Sequence, residues 1–445
     1  MLLNLSILVF FLLVLIIAIS RWKIHPFIVL ILIALGLGMT MGIGGVQTVD
    51  VVLKGFSETL RWIAIIIILG AFIGEVLQET GGAVRISEGV IKSVGEKKLP
   101  WAMGITGYIV SIPVFVDVAY ILLQPVIESL AVKSRKPVLF LGLSLAAGLT
   151  VAHTLIPPTP GPMAVASLLG VNMGRMLLIN LFVAVFAMAG GVLFVQYFVK
   201  NTWLKYDEKL RHEFEDQNQE PAEEVEAKSG EVIFDVLPIL VPIILIGAGS
   251  FLDLEKETVF TGIMSFISMP FIAVFIGAFI AGCQLLFKGR KKVINKLVEQ
   301  AILKSALVIM ITGAGGSLGF VIKETGIQNE IVEVFSHFPF LGILLPFVVA
   351  SILTISTGSI TVSLVGTASM LGPMINSLPV SPEMVAALIG CGAFCVFHAN
   401  SSFFWLLNRL HEVPPPTLYR TYTLQSLVMG LSGLLAVFLL QLFGL

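Results

Sequence analysis

Charge is scarce in this sequence. Asp, Glu, Lys and Arg make up 12% of its 445 residues, against 57% hydrophobic residues and a mean hydropathy of +0.99. Soluble domains carry roughly 25% charged residues, and a chain this poor in charge cannot solvate a globular surface. The net charge of −1 removes any electrostatic case for a nucleic-acid partner. Cysteine is as sparse: Cys283, Cys391 and Cys395 each fall inside an apolar segment. That excludes a disulfide framework, and no His or Cys stands at metal-ligand spacing, so neither a metal nor a cofactor is expected. The first apolar segment has no basic stretch ahead of it, and Arg21-Trp22-Lys23 follows it instead. It reads as a retained helix rather than a cleaved signal peptide.

Long uncharged stretches are what the sequence does have. Residues 1–20, 24–49, 176–199, 258–287 and 421–445 contain no Asp, Glu, Lys or Arg, and longer uncharged blocks run over 137–174 and 334–382. A transmembrane helix needs about 20 predominantly apolar residues. The fold class is therefore an all-α polytopic membrane protein.

The chain also repeats itself. Ile24-His25-Pro26-Phe27-Ile28 meets Ser268-Met269-Pro270-Phe271-Ile272 at an offset of 244. Gly74 to Gly81 meets Gly319 to Gly326 at 245, sharing the Glu-Thr-Gly ending. Leu123 to Leu130 meets Leu371 to Leu378 at 248, and His153 meets His398 at 245. Matches in this order with so little drift describe two copies of one unit: a first repeat over 1–199 and a second over 232–445. Residues 200–231 between them, rich in Glu, Lys, Asp and Gln, read as a charged, solvated linker.

Basic clusters at 21–23, at Arg85/Lys92/Lys97/Lys98, at Lys133/Arg135/Lys136, at Lys200/Lys205 and at 288–292 set the orientation, because cytoplasmic loops collect Lys and Arg. With all of them in the cytoplasm, 101–132 has to enter and leave on one side as a re-entrant hairpin turning at Ser111-Ile112-Pro113. A matching hairpin is expected over about 338–378, with broken helices over about 137–165 and 384–407. Each copy then crosses five times, so the copies are inverted. About ten full transmembrane helices and two re-entrant hairpins result, the architecture of inverted-repeat transporters. The N- and C-termini lie outside and the linker in the cytoplasm of a bacterial inner membrane.

Non-helical backbone at membrane depth is tolerated only inside protein or against a water-filled cavity, so breaks in apolar segments point to a binding site. One pair of breaks comprises the hairpin tips, with candidate residues Ser111 and Pro113 in the first and Ser356, Thr357, Gly358, Ser359 and Thr361 in the second. Helix N-termini at such tips suit a carboxylate, and hydroxyls suit a polyhydroxy substrate, unless they merely bond back to their own helix. The other pair holds His153, Thr154 and Thr159, in a run with four prolines at 157, 158, 160 and 162, and His398, Asn400 and Ser401. A helix cannot continue through that proline run. Each histidine is either a packing residue or part of the site lining. Asp117 is a carboxylate within an apolar stretch; it is either the coupling-proton site or a structural cap. Glu79 and Glu324, each before Thr-Gly, read as helix-end features, and Gly70, Gly313, Gly315 and Gly316 as sites of close helix packing.

These segments resemble the gluconate permease (GntP) family of proton-coupled symporters, within the wider ion-transporter superfamily. The resemblance runs nearly end to end. It is carried by Ala152 to Pro162, by Gly313-Ala314-Gly315-Gly316, by Gly358-Ser359-Ile360-Thr361-Val362, by Gly81-Gly82-Ala83 with Arg85 behind, and by Asp117 after Phe-Val. It implies uptake of gluconate or a related small sugar acid or hydroxy-acid with a proton, by a homodimer whose subunits pair a scaffold domain with a transport domain. Other members take idonate, fructuronate or D-serine. The departure is Asn400-Ser401-Ser402-Phe403-Phe404-Trp405, where better-known members read Asp-Ser-Leu-Phe-Trp-like, so an acidic group is missing at position 400. That leaves room for D-serine, glycerate or another small carboxylate, and for sodium as the coupling ion. A channel and an intramembrane enzyme are the outside readings; no His-Glu-x-x-His and no Gly-Asp dyad support the latter.

Overall fold

The computed structural model describes residues 2–95, 98–199, 229–249, 259–326, 339–399 and 401–443. Most of the linker and Asn400 lie outside the described residues. Among them every regular element is helical. The first half of the chain holds α1 (Leu2–Ser20), α2 (Pro26–Thr40), α3 (Gly45–Glu79), α4 (Gly82–Val94), α5 (Leu99–Val110), α6 (Val116–Ser134), α7 (Val138–Leu155), α8 (Pro160–Leu169) and α9 (Met173–Phe198). The second holds α10 (Ser229–Gly249), α11 (Val259–Ser268), α12 (Pro270–Phe287), α13 (Ile294–Glu324), α14 (Pro339–Thr357), α15 (Ile360–Leu371), α16 (Pro382–Ala393), α17 (Ser402–Leu410) and α18 (Pro415–Leu442), the last with a π turn at Tyr419–Thr423.

The same local signals set corresponding helix ends. Pro26 and Pro270 occupy the first turns of α2 and α12, where the missing N–H has no intrahelical partner to lose. Both α3 and α13 stop at the Glu-Thr-Gly endings, with Gly81 at φ +69° and Gly326 at φ +70°, a left-handed conformation that glycine adopts freely.

By length and composition, six helices are able to cross a bilayer among the described residues: Val138–Leu169 (α7 with α8), α9, Gly230–Gly249, α12, Lys291–Glu324 and α18. A seventh appears if the two halves of α3, bent by 41°, are one span. The sequence suggests about ten. The difference lies in short or divided segments: α2 has only 15 residues, the apolar run at 258–287 restarts at Pro270, and the run at 384–407 is split between α16 and α17.

Buried against one another, α3 and α13 form the spine of the molecule. Gly55 faces Gly316, and a Cβ on Gly55 would stand 2.7 Å from the Gly316 carbonyl oxygen. Small residues let helix backbones approach this closely, which is how helices gain contact where surrounding lipid is as apolar as they are. Ion pairs, most of them between the two halves of the chain, lie beside this helix pair. Arg85 and Lys288 both reach the buried Asp235, at 2.6 and 3.3 Å, Arg290 pairs with Glu79 at 2.8 Å, and Lys304 with the buried Glu75 at 2.5 Å.

Candidate functional site

Four of the junctions between successive helices fall where the sequence placed breaks, two in each half of the chain. In the first copy they are 111–115, between α5 and α6, and 156–159, between α7 and α8. In the second they are Gly358-Ser359, between α14 and α15, and 394–401, between α16 and α17. Each break ends in a helix N-terminus, at Phe115, Thr159, Ser359 and Ser401, whose first N–H groups have no intrahelical acceptor; at α8, Pro160 and Pro162 leave only the Gly161 N–H in the first three positions.

Contacts between the breaks tie all of them together. The Phe115 ring at the head of α6 lies on the His153 imidazole, with centroids 5.5 Å apart. Asp117, in the first turn of α6, is exposed and accepts a hydrogen bond from the Ser402 hydroxyl at the start of α17. His398 donates from Nε2 to the Ile355 carbonyl at the end of α14, 2.9 Å away. Gly161 in α8 faces Leu364 in α15. On α3, Gly74 faces the Pro113 carbonyl and Gly70 the Pro158 carbonyl, where a Cβ on Gly70 would stand 2.8 Å from that oxygen. Both first-copy breaks therefore rest on the same helix.

The hydroxyls expected to face a substrate have local partners. Ser111, fully buried, donates to Val114 O at 3.0 Å. Thr154 donates to Thr150 O at 2.7 Å, Thr159 to Ile156 O at 2.5 Å and Thr357 to Leu353 O at 2.6 Å. Ser359 caps α15 by accepting from Val362 N at 3.3 Å. Back-bonding of this kind shapes helix ends, so these hydroxyls are engaged within the breaks themselves. Ser356, Thr361 and Pro113 sit at the tips, and Ser401 is buried at the start of α17.

His153 stands apart. Its Nδ1 is buried and without a hydrogen-bond partner, beside the Phe115 ring at the mouth of the first break. A buried polar atom with no partner is rare, and in a native structure it calls for a ligand, a water or a mechanistic reason.

Sequence reasoning passed over three features. Ser402 completes the link to Asp117, and only its place in a polar run hinted at it. Val396 has φ +62°, an outlier for a β-branched residue that stores of order 1–3 kcal/mol. The backbone around it is pinned by Trp405 Nε1 donating to Ala399 O at 2.7 Å and by Phe397 N donating to Ser426 Oγ at 2.9 Å. Third, contrary to the expectation that the chain has no Gly-x-Ser-x-Gly, Gly315-Gly316-Ser317-Leu318-Gly319 spells that pattern of a hydrolase nucleophile. Here it lies inside α13, with Ser317 donating to Val52 O at 2.8 Å, and not on the strand-to-helix turn that exposes such a serine.

The sequence model described as GntP family permease matches residues 2–443. The chain belongs to the GntP permease family. An uncharacterized permease of Haemophilus influenzae is 34% identical to this GntP permease over 89% of this chain and 83% of its own length. A gluconate permease of Pseudomonas aeruginosa is 29% identical over 96% of this chain and 95% of its own. Among solved structures, the YdaH transporter of Alcanivorax borkumensis shares the fold with a TM-score of 0.66 at 15% identity, covering 95% of this chain and 99% of that one. This GntP permease is a multi-pass helical membrane protein, a transporter and not an enzyme.

Proposed function

We propose that this permease is a secondary active transporter that imports gluconate or a related small sugar acid across the bacterial inner membrane by proton symport. The observation that carries the reading is the linkage of the breaks: His153, with its unpartnered Nδ1, meets the α5–α6 tip, Asp117 meets Ser402, and His398 meets the end of α14. Uncapped helix N-termini at Phe115, Thr159 and Ser401 supply the positive dipole ends that favour a carboxylate.

In this reading the two copies are inverted repeats. α5–α6 and α14–α15 are the re-entrant hairpins, α7–α8 and α16–α17 the broken spans, and Ser111, Pro113, His153, Thr154, Thr159, Ser356 to Ser359, Thr361, His398, Asn400 and Ser401 surround the substrate. The termini face outward, the linker is cytoplasmic and the protein works as a homodimer. The return of α6 along α7, from Phe115 at His153 to Tyr120 at Gly142, supports the first hairpin. The Ser363 hydroxyl donating back to Ala350 O at 2.6 Å supports the second.

Asp117 is the coupling carboxylate. When it holds the proton it no longer needs Ser402, and when it is ionised the Ser402 hydroxyl and the first turn of α6 stabilise it, so proton and substrate occupancy are linked through one junction. The test is accumulation of labelled gluconate by proteoliposomes under an inward proton gradient. Failure to accumulate any aldonate or hydroxy-acid would overturn the reading. Uptake of D-serine or glycerate instead, or dependence on sodium, would replace the substrate or the ion within it.

A further inference from the structure

Beyond Asp117, one face of α6 carries polar side chains that the proposed binding site does not use. Asp117, Tyr120, Gln124 and Glu128 follow one another at intervals of three, four and four residues. That spacing stacks them on a single side of the helix. The file begins at the tip, where Ser402 donates to Asp117, and ends near the basic cluster at Lys133, Arg135 and Lys136.

Its members are engaged with one another and with α17. The Tyr120 hydroxyl lies 2.6 Å from His411 Nε2 at the end of α17, and Tyr120 is fully buried. Gln124, 8% exposed, donates from Nε2 to Glu128 Oε1 at 2.9 Å. Its own Oε1 is buried with no partner. An orphaned buried amide acceptor of this kind is a site that suits a bridging water. The groups around His411 are Tyr120 from α6, Gly142 from α7 and, across the Phe403 ring, Tyr422 from α18, with Arg409 and Glu412 on its own segment.

At the offset of 248 the counterparts of Asp117, Tyr120, Gln124 and Glu128 are Val365, Ala368, Gly372 and Asn376. The second hairpin thus packs without a single ionisable group on the matching face. Only the copy whose hairpin opens toward the basic, cytoplasmic loops keeps the polar file.

We propose that this face of α6, completed by His411, is the path by which the coupling proton leaves the hairpin tip for the cytoplasm. The proposal rests on the proton-symport reading. Protonated Asp117 gives its proton through a water to the Tyr120 hydroxyl oxygen while the Tyr120 hydroxyl proton moves to His411 Nε2. Asp117 becomes a carboxylate, Tyr120 stays neutral and His411 becomes an imidazolium. His411 then loses a proton through the water held at Gln124 Oε1 to the Glu128 carboxylate, which releases it to the cytoplasm. One proton is displaced along the file, and no bond between heavy atoms forms or breaks.

The experiment uses the full chain in liposomes with an internal pH dye, labelled gluconate as the probe, and both gradient-driven uptake and equal-pH gluconate exchange as readouts. Tyr120→Phe and His411→Gln are expected to slow gluconate-driven proton entry by about a hundredfold, the low end of what a positioned proton donor contributes, with exchange unchanged. Glu128→Gln, half-buried at the far end of the file, should do the same without altering the melting temperature, which separates loss of the relay from misfolding. Full proton entry in Tyr120→Phe and His411→Gln overturns the proposal, and so does equal loss of exchange and uptake in all three variants, since that marks a structural role. Wild-type exchange with no accompanying proton entry overturns the symport reading itself, and the path with it.

Discussion

The Ser402 hydroxyl donates to the Asp117 carboxylate, joining the first turn of α6 to the first turn of α17. These residues are 285 positions apart in sequence, and each stands at an interruption in an otherwise apolar segment. A carboxylate held there by one neutral hydroxyl, with no cation paired to it among the described residues, can change its protonation without breaking an ion pair.

Asp117→Asn keeps the shape of that junction and removes its charge. It is expected to abolish gradient-driven accumulation of gluconate while leaving exchange at equal pH. Parallel rate measurements in the same vesicles check this, and equal loss of both activities would take Asp117 out of the coupling role.

His153→Leu removes the buried Nδ1 and keeps the bulk against Phe115. If that nitrogen meets the substrate, half-saturation should rise about 10- to 100-fold, the equivalent of a hydrogen bond to a charged group worth roughly 1.5–3 kcal/mol. Concentration-dependent uptake reads the shift. An unchanged half-saturation would assign His153 to packing alone.

Asp235→Asn leaves Arg85 and Lys288 facing a neutral amide at a site where the aspartate side chain is 1% exposed. Removing one partner of a buried pair destabilises by about 3–5 kcal/mol, reduced here because Lys288 is 31% exposed. The melting temperature in detergent should fall clearly below that of the wild type, and a fall no greater than that of a surface control would contradict the burial argument.

Gly55→Ala places a methyl group 2.7 Å from Gly316 O and 2.8 Å from Ser317 Cα, backbone atoms that cannot rotate away. Overpacking of this kind costs roughly 1–3 kcal/mol, and thermal unfolding should show it. The reverse holds at Val396, whose φ of +62° glycine accepts without strain. Val396→Gly should raise the melting temperature by relieving of order 1 kcal/mol, with transport rate measured alongside to show whether the strained backbone is part of the cycle.

The chain itself determined what depends on nearby residues. Membrane residence follows from apolar runs that no folded arrangement could solvate. Helix ends follow from proline, which has no N–H to give, and from glycine, which alone enters the left-handed region freely; hence α2 and α12 begin at Pro26 and Pro270, and α3 and α13 end before Gly81 and Gly326. The Pro157 to Pro162 run announces a break whatever surrounds it. Only the tertiary structure decided which breaks meet. Asp117 with Ser402, His153 with Phe115, His398 with Ile355 and Tyr120 with His411 are contacts whose sequence separations range from 38 to 291 residues. No local propensity encodes such pairings, because they depend on how closely α3 and α13 pack and on where that packing sets each helix end.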